Sequence, residues 1–172
     1  DLPFLVKRTA SPYLVGPNGY YLRDRASRKP LVWDRARGAA VPFDTPGMDE
    51  ALEGRYEADA IEIGPDDAVL AEGRLPGATA FTLTVDHLGP YTPEWAEGIT
   101  GIPAATIRRL AHEMGITARD QRIELPIAWT DCWGQRHKSV IGRPVAFHAM
   151  RGLAAHSNGF QSIRALGVMM AL

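Results

Sequence analysis

Cysteine is almost missing from this sequence: 172 residues hold one, Cys132. A single thiol excludes an internal disulfide and any zinc or iron–sulfur site built from several thiolates of this chain. It fits a reducing compartment, and also an exported protein without disulfides. An excess of either charge is missing too. The formal net charge is −1, so no overall basic field gathers nucleic acid or anionic lipid. No apolar run approaches the roughly 20 residues of a membrane span. The opening DLPFLVKRTASP lacks an initiator Met and the charged-then-apolar layout of a signal peptide. A processed product, or an excised piece of something longer, is the expectation. No glycine-rich loop ends in Gly-Lys-Ser/Thr, and no GxGxxG occurs. What remains is ordinary: 45% hydrophobic and 23% charged residues, in a length that allows a real core.

The first half is punctuated by Gly and Pro. PYLVGPNGYYL reads as two short strands around Pro17-Asn18-Gly19, where Pro presets one turn dihedral and Asn-Gly tolerates positive φ. KPLVWDRARGAAVPFD repeats the theme, with a strand Leu31 to Trp33, a turn through Gly38 and a strand Ala40 to Phe43. Two such hairpins are too thin to stand alone. Asp44 to Gly77 is acidic and rich in Gly, Pro and Ala. It reads as an irregular surface insertion with one short strand at AIEIG.

ATAFTLTVDHLG supports two readings. Phe81, Leu83 and Val85 alternate like a strand, whereas Phe81, Val85 and Leu88 share a helical face. YTPEWAEGITGIPAATIRRLAHEMG is clearer. Thr92 can cap a short helix that opens on Pro93 and Glu94 and breaks near Gly101. A second helix begins at Pro103, buries Ile107, Leu110, Ala111 and Met114, and ends at Gly115. RIELPIAW then reads as a buried strand, Ile123 to Trp129, and VIGRPVAFHAM as another extended segment. The last residues, HAMRGLAAHSNGFQSIRALGVMMAL, read as a loop entering an apolar helix near Gly159. Strand, loop and helix in this order are the grammar of an α/β layer.

Three local clusters carry potential chemistry. His112-Glu113 opens like a zinc-protease helix, but Ile116 stands where the second His must be, so a solvated helix face is the better reading. Cys132, between Trp129 and Trp133, reads as a buried small hydrophobe before it reads as a nucleophile. His137, between Arg136 and Lys138, reads as surface. Arg151 to Gln161 is the strongest candidate. A loop entering a helix offers unpaired N–H groups and a positive dipole end, which suit an anion. Asn158 can cap, Gly152 and Gly159 can let a ligand approach the backbone, Arg151 can fork onto an oxyanion, and His156 and Ser157 can donate. An ordinary strand-to-helix turn stays open as the alternative. A hydrolase using His156 and Ser157 is disfavoured, since neighbours rarely meet as base and nucleophile and no GxSxG elbow exists.

YTPEWAEGITGIPAATIRRLAHE resembles the segment T-x-E-x-A-x-x-x-T-G-ϕ-P-x-x-x-I-x-x-L-A of the molybdopterin oxidoreductases, the dimethyl sulfoxide reductase superfamily. FLVKRTASPYLVGPNGYYLRD and PLVWDRARGAAVPFD resemble an excursion that precedes it in one branch, which handles sulfur oxyanions or polysulfide. RGLAAHSNGFQSIRAL resembles the approach to that family's Gly-Asn and Gly-Gly signature. The resemblance runs end to end. It implies an internal fragment of a catalytic subunit: a hairpin-rich excursion over residues 1–78, then a truncated, Rossmann-like α/β dinucleotide-binding layer over 79–172. It makes Phe81 to Leu88 a helix. It implies molybdenum or tungsten held by two molybdopterin guanine dinucleotides, and a [4Fe–4S] cluster in the full-length protein, with the metal's protein ligand and the cluster's cysteines upstream of this chain. It implies two-electron chemistry on a small substrate, a sulfur compound or formate. The partners would be an iron–sulfur electron-transfer subunit plus a membrane anchor subunit, in the bacterial cytoplasm or periplasm. Arg151, Gly152, His156, Ser157, Asn158, Gly159 and Gln161 would approach the dinucleotide, with His156 an outside candidate for catalysis and no metal ligand in the chain. The fragment alone would be inactive. Gly167, Val168, Met169, Met170 and Leu172, in the helix from about Gly159, would belong to a core helix cut short. The rival expectation is a stand-alone α/β module that binds a nucleotide or anion without redox chemistry.

Overall fold

The computed structural model describes residues 2–171, with the side chain of Ala171 left aside; Leu172 of the expected core helix lies outside the described residues. The chain forms two compact units that divide between Pro90 and Tyr91. The expected boundary at residues 78 and 79 falls at the end of a strand, one helix earlier.

The first unit opens with α1 (Leu2–Arg8), followed by β1 (Leu14–Val15), β2 (Leu22–Arg23), β3 (Leu31–Asp34), β4 (Ala39–Pro42), β5 (Arg55–Ile63) and β6 (Val69–Thr79), and closes with α2 (Ala80–Leu88). The stretch expected to be irregular, Asp44 to Gly77, supplies the two longest strands. β5 and β6 pair antiparallel from Arg55↔Ala78 to Ile63↔Val69, and β2 and β1 add to their outer edges in the order β1-β6-β5-β2. The alternation was present: Arg55, Glu57 and Asp59 are exposed while Ala58 and Ala60 are buried. Alanine in place of valine or isoleucine hid it, because the inward face must leave room for the other strands' leucines. The core is Leu14, Leu22, Leu31, Ala58 and Ala60, with Trp33, Ala40, Tyr56 and Leu75 packed around it. Trp33 stacks on Tyr56 with centroids 4.4 Å apart. The β3–β4 ribbon has the expected bounds to within a residue and pairs from Leu31↔Pro42 to Asp34↔Ala39.

Buried carboxylates hold the turns. Glu62 is fully buried and accepts from the Asn18 N–H (2.9 Å), the Tyr20 N–H (3.0 Å) and Asn18 Nδ2 (2.9 Å), so it clamps the Pro17-Asn18-Gly19 turn. Asp34, also fully buried, accepts from the Ala36, Arg37 and Asp49 N–H groups and from the Arg37 guanidinium.

α2 is helical despite three threonines, because their hydroxyls are occupied. Thr79 accepts from the Thr82 N–H as the N-cap, and Thr84 donates back to the Ala80 carbonyl. The helix belongs to the first unit. Its Ala80 and Phe81 N–H groups bond the Tyr13 and Ser11 carbonyls, and Thr82 Oγ1 accepts from Gly54 N.

The second unit holds α3 (Pro93–Thr100), α4 (Ala104–Asp120), β7 (Ile123–Leu125), β8 (Trp129–Thr130), β9 (Arg136–His137), β10 (Val140–Gly142), α5 (Arg151–Ala154) and α6 (Gly159–Ala171). Thr92 caps α3 by accepting from Trp95 N, and Gly101 closes it at φ 71°. α4 runs past Gly115 to Asp120, against the expected stop there. A glycine inside a helix costs about 1 kcal/mol, which the turns on either side absorb. The expected strand Ile123 to Trp129 is split at Pro126 and exposed on both pieces. β7 pairs with β10, and the β8–β9 hairpin sits between them in the chain. Every strand pair among the described residues is antiparallel.

Arg108 forks onto Glu94 and ties α4 to α3 (2.8 and 2.5 Å). The guanidinium, with the backbone N–H of Glu94 itself, holds the Glu94 carboxyl down at about 2 from an ordinary 4.5. A depressed carboxylate stabilises the fold above its unfolded value and loses that contribution as pH falls through the folded one. The α3–α4 corner is therefore expected to loosen between pH 4.5 and about 2. Carboxyl-carbon NMR should show Glu94 returning toward its ordinary value in Arg108→Ala.

No helix of the described residues is long and apolar enough to cross a membrane.

Candidate functional site

The residues singled out from the sequence fall on one helix–helix corner. Arg151 and Gly152 lie in α5; His156, Ser157 and Asn158 form the link; Gly159 and Gln161 open α6. All are exposed except Gly159. Ala155 N bonds the Arg151 carbonyl (2.9 Å), Gly159 N the His156 carbonyl (2.9 Å) and Ser162 N the Asn158 carbonyl (3.0 Å), so the corner is built by the backbone. Gln161 Oε1 accepts from Arg164 Nη1 at 3.3 Å.

The two glycines differ in purpose. A Cβ at Gly152 would meet nothing within 4 Å. A Cβ at Gly159 would collide with the Ala154 carbonyl and lie 2.9 Å from Ala154 Cα. Gly159 thus serves the close approach of α5 to α6. Gly159→Ala is expected to open this corner, seen as faster amide hydrogen exchange across residues 151–162, whereas Gly152→Ala leaves exchange unchanged.

The apolar face of α6 is not a core in this chain. Phe160, Met169 and Met170 are 76%, 42% and 65% exposed. The whole second unit shares this character: Ala104 and Gly159 are its only buried residues among those described.

A second cluster was not foreseen from the sequence. The β8–β9 hairpin brings Asp131 to His137, with Oδ2 2.9 Å from Nε2. His137 stacks on Trp129, centroids 4.6 Å apart and planes at 21°. Asp131 Oδ1 accepts from the Trp133 and Gln135 N–H groups (3.0 and 2.9 Å). The His137 bond and then the Gln135 N–H are the main causes that hold the Asp131 carboxyl below its usual range. His137, read as surface, is therefore half-buried and partnered. Cys132, read as buried, is exposed. The signal was the two-strand alternation that puts Trp129 opposite His137, visible only once the Gly134 turn fixes the register. No set of three or more His, Cys, Asp or Glu among the described residues could hold a metal ion.

Charge is divided between the units. Counting Lys and Arg against Asp and Glu gives 10 against 14 for residues 1–90 and 9 against 6 for residues 91–172. Asp131 is the last carboxylate side chain in the sequence. Beyond it come Arg136, Lys138, Arg143, Arg151 and Arg164, together with His137, His148 and His156.

No family model matches the chain. The recognition as a dimethyl sulfoxide reductase superfamily catalytic subunit is corrected on this point by what the comparison does find. Along its whole length the chain is similar to a sulfite dehydrogenase subunit of Allochromatium vinosum, at 50% identity, and it spans 18% of that relative's length.

Proposed function

We propose that the chain is a segment of a sulfur-compound oxidoreductase that oxidises sulfite. The observation that carries this reading is the 50% identity, over the whole of the chain, to a sulfite dehydrogenase subunit. Sulfite takes precedence over formate for the same reason. The relative is named as one subunit of its enzyme, which supports a multi-subunit assembly. The partners we propose are an iron–sulfur electron-transfer subunit plus a membrane anchor subunit.

The redox centre lies elsewhere in the protein on this reading, and the chain alone is inactive. The cofactor proposed is molybdenum or tungsten on molybdopterin guanine dinucleotide, which when bound supplies the two-electron transfer. The α5–α6 corner suits the dinucleotide's phosphates in its donor set: a guanidinium at Arg151, an imidazole at His156, a hydroxyl at Ser157 and carboxamides at Asn158 and Gln161, all exposed and with no carboxylate side chain among them. These residues would hold and orient the group. The second unit would form the margin of a dinucleotide-binding α/β layer, whose parallel strands come from the rest of the protein. Its exposed apolar helices support packing of this kind. A stand-alone anion-binding module is the weaker reading, because such a module would bury those faces itself.

The test is to purify the full-length protein from a host that makes the cofactor. Sulfite-dependent reduction of an artificial acceptor, with molybdenum or tungsten and guanine nucleotide released on denaturation, is the expected result. A metal-free protein, or one that turns over formate and leaves sulfite untouched, would sink the reading.

A further inference from the structure

We propose that the β8–β9 hairpin binds the sulfur oxyanion substrate, with His137 as the binding residue and Asp131 as the residue that positions it. This rests on the sulfite reading above.

The geometry is that of an oriented imidazole. Asp131 is ionised, so His137 Nε2 carries the hydrogen and donates to Oδ2 at 2.9 Å. Trp129 holds the ring plane by stacking. Trp129 is itself fixed, since its Nε1 donates to the Ser139 carbonyl at 3.0 Å. The bond and the stacking hold this half-exposed ring and leave Nδ1 without a hydrogen-bond partner among the described residues. A bond of this type on one ring nitrogen fixes the tautomer and the orientation of the ring.

Nδ1 suits sulfite chemically. Sulfite and its singly protonated form coexist near neutral pH. A neutral imidazole offers Nδ1 a lone pair for the proton of bisulfite. A protonated one offers an N–H to the dianion. One residue can therefore meet either form.

The surroundings select an anion. Arg136 and Lys138 flank His137 in sequence, and neither makes an ion pair among the described residues. The hairpin's one acid, Asp131, has both oxygens committed, to His137 and to two backbone N–H groups. The other nearby acid, Glu124 of β7, accepts from Ser139 Oγ at 2.8 Å. The hairpin and its next residue carry Asp131, Arg136 and Lys138, and Glu124, Arg122 and Arg143 lie on or next to the strands that bracket it in the chain. Arg136 and Lys138 are in no ion pair among the described residues, whereas both carboxylates are hydrogen-bonded.

The test uses the full-length holoenzyme. His137→Gln is expected to raise the sulfite KM by about tenfold with kcat within about twofold, the signature of lost binding. Asp131→Asn is expected to move the pH dependence of kcat/KM, which a hairpin prop alone would not do. Arg136→Gln with Lys138→Gln keeps the dyad and should weaken sulfite binding most at low salt. Calorimetry with sodium sulfite and with inorganic phosphate separates the two sources of an oxyanion. Saturable sulfite binding that is lost in His137→Gln upholds the site. Phosphate bound as tightly as sulfite, or an unchanged sulfite KM and affinity in His137→Gln, overturns it. Wild-type protein that binds sulfite through His137 without oxidising it would defeat the functional reading and leave this site standing.

Discussion

Glu62→Ala is expected to destabilise the first unit by about 3 kcal/mol, the scale for stripping buried donors of a charged acceptor. Three donors point at this carboxylate: Asn18 N, Tyr20 N and Asn18 Nδ2. The side chain is fully buried, so water cannot simply take its place. The damage reaches the sheet, because Glu62 is paired with Leu22 on the neighbouring strand while its side chain secures the turn that leads there. In a unit of this size, such a loss lowers Tm by about 15 °C. Thermal unfolding followed by circular dichroism at neutral pH checks it. Asp59→Ala, on the same strand but exposed, should barely move the transition. Equal shifts for the two variants would show that Glu62 clamps nothing.

The second large effect is at Leu22. Leu22→Ala empties the centre of a five-residue cluster and should cost about 3 kcal/mol. The surrounding glycines make a sharper test possible. A Cβ on Gly77 would lie 2.7 Å from Leu22 Cδ1, with its next neighbours at 3.4 and 3.5 Å. Gly77→Ala is therefore destabilising beside leucine and tolerable beside alanine. In denaturant titrations the double variant should be more stable than the sum of the two single losses allows, a coupling that distant sites do not show. Strict additivity would mean that Gly77 is there for some reason other than the leucine.

Much of the local structure was legible. Thr92, Pro93 and Gly101 wrote the limits of α3 plainly, because capping and a left-handed exit depend on single residues. The β3–β4 ribbon was legible for the same reason, with Gly38 at its turn. The β5–β6 hairpin was not. Its inward positions are alanines and a buried glutamate, and its turn uses Asp66 and Asp67 at φ 56° and 59° in place of glycine. Such a strand declares itself only through the partners it pairs with. Gly115 misled in the opposite direction, since a glycine signals a helix end only when the chain needs to turn there. The packing duty of Gly159 at the α5–α6 corner was not legible, because close packing of two chain segments and close approach of a ligand leave the same residue in the sequence. The Asp131–His137 pair escaped because its meaning lies across a hairpin.

The order of the strands also sets an order in time. Every pairing partner in the four-stranded sheet lies at or before Thr79, and its longest ladder closes across a short turn. Hairpins of this kind form in about 1–10 μs, whereas ribosomes add roughly 5–20 residues per second. The sheet can thus be complete while the second unit is still being synthesised. During the seconds that follow, Phe160, Met169 and Met170 emerge with no core of their own to enter. The first unit has its sheet and core before the second is made, while the apolar faces of α6 stay open and are exposed to chaperone binding and misassembly.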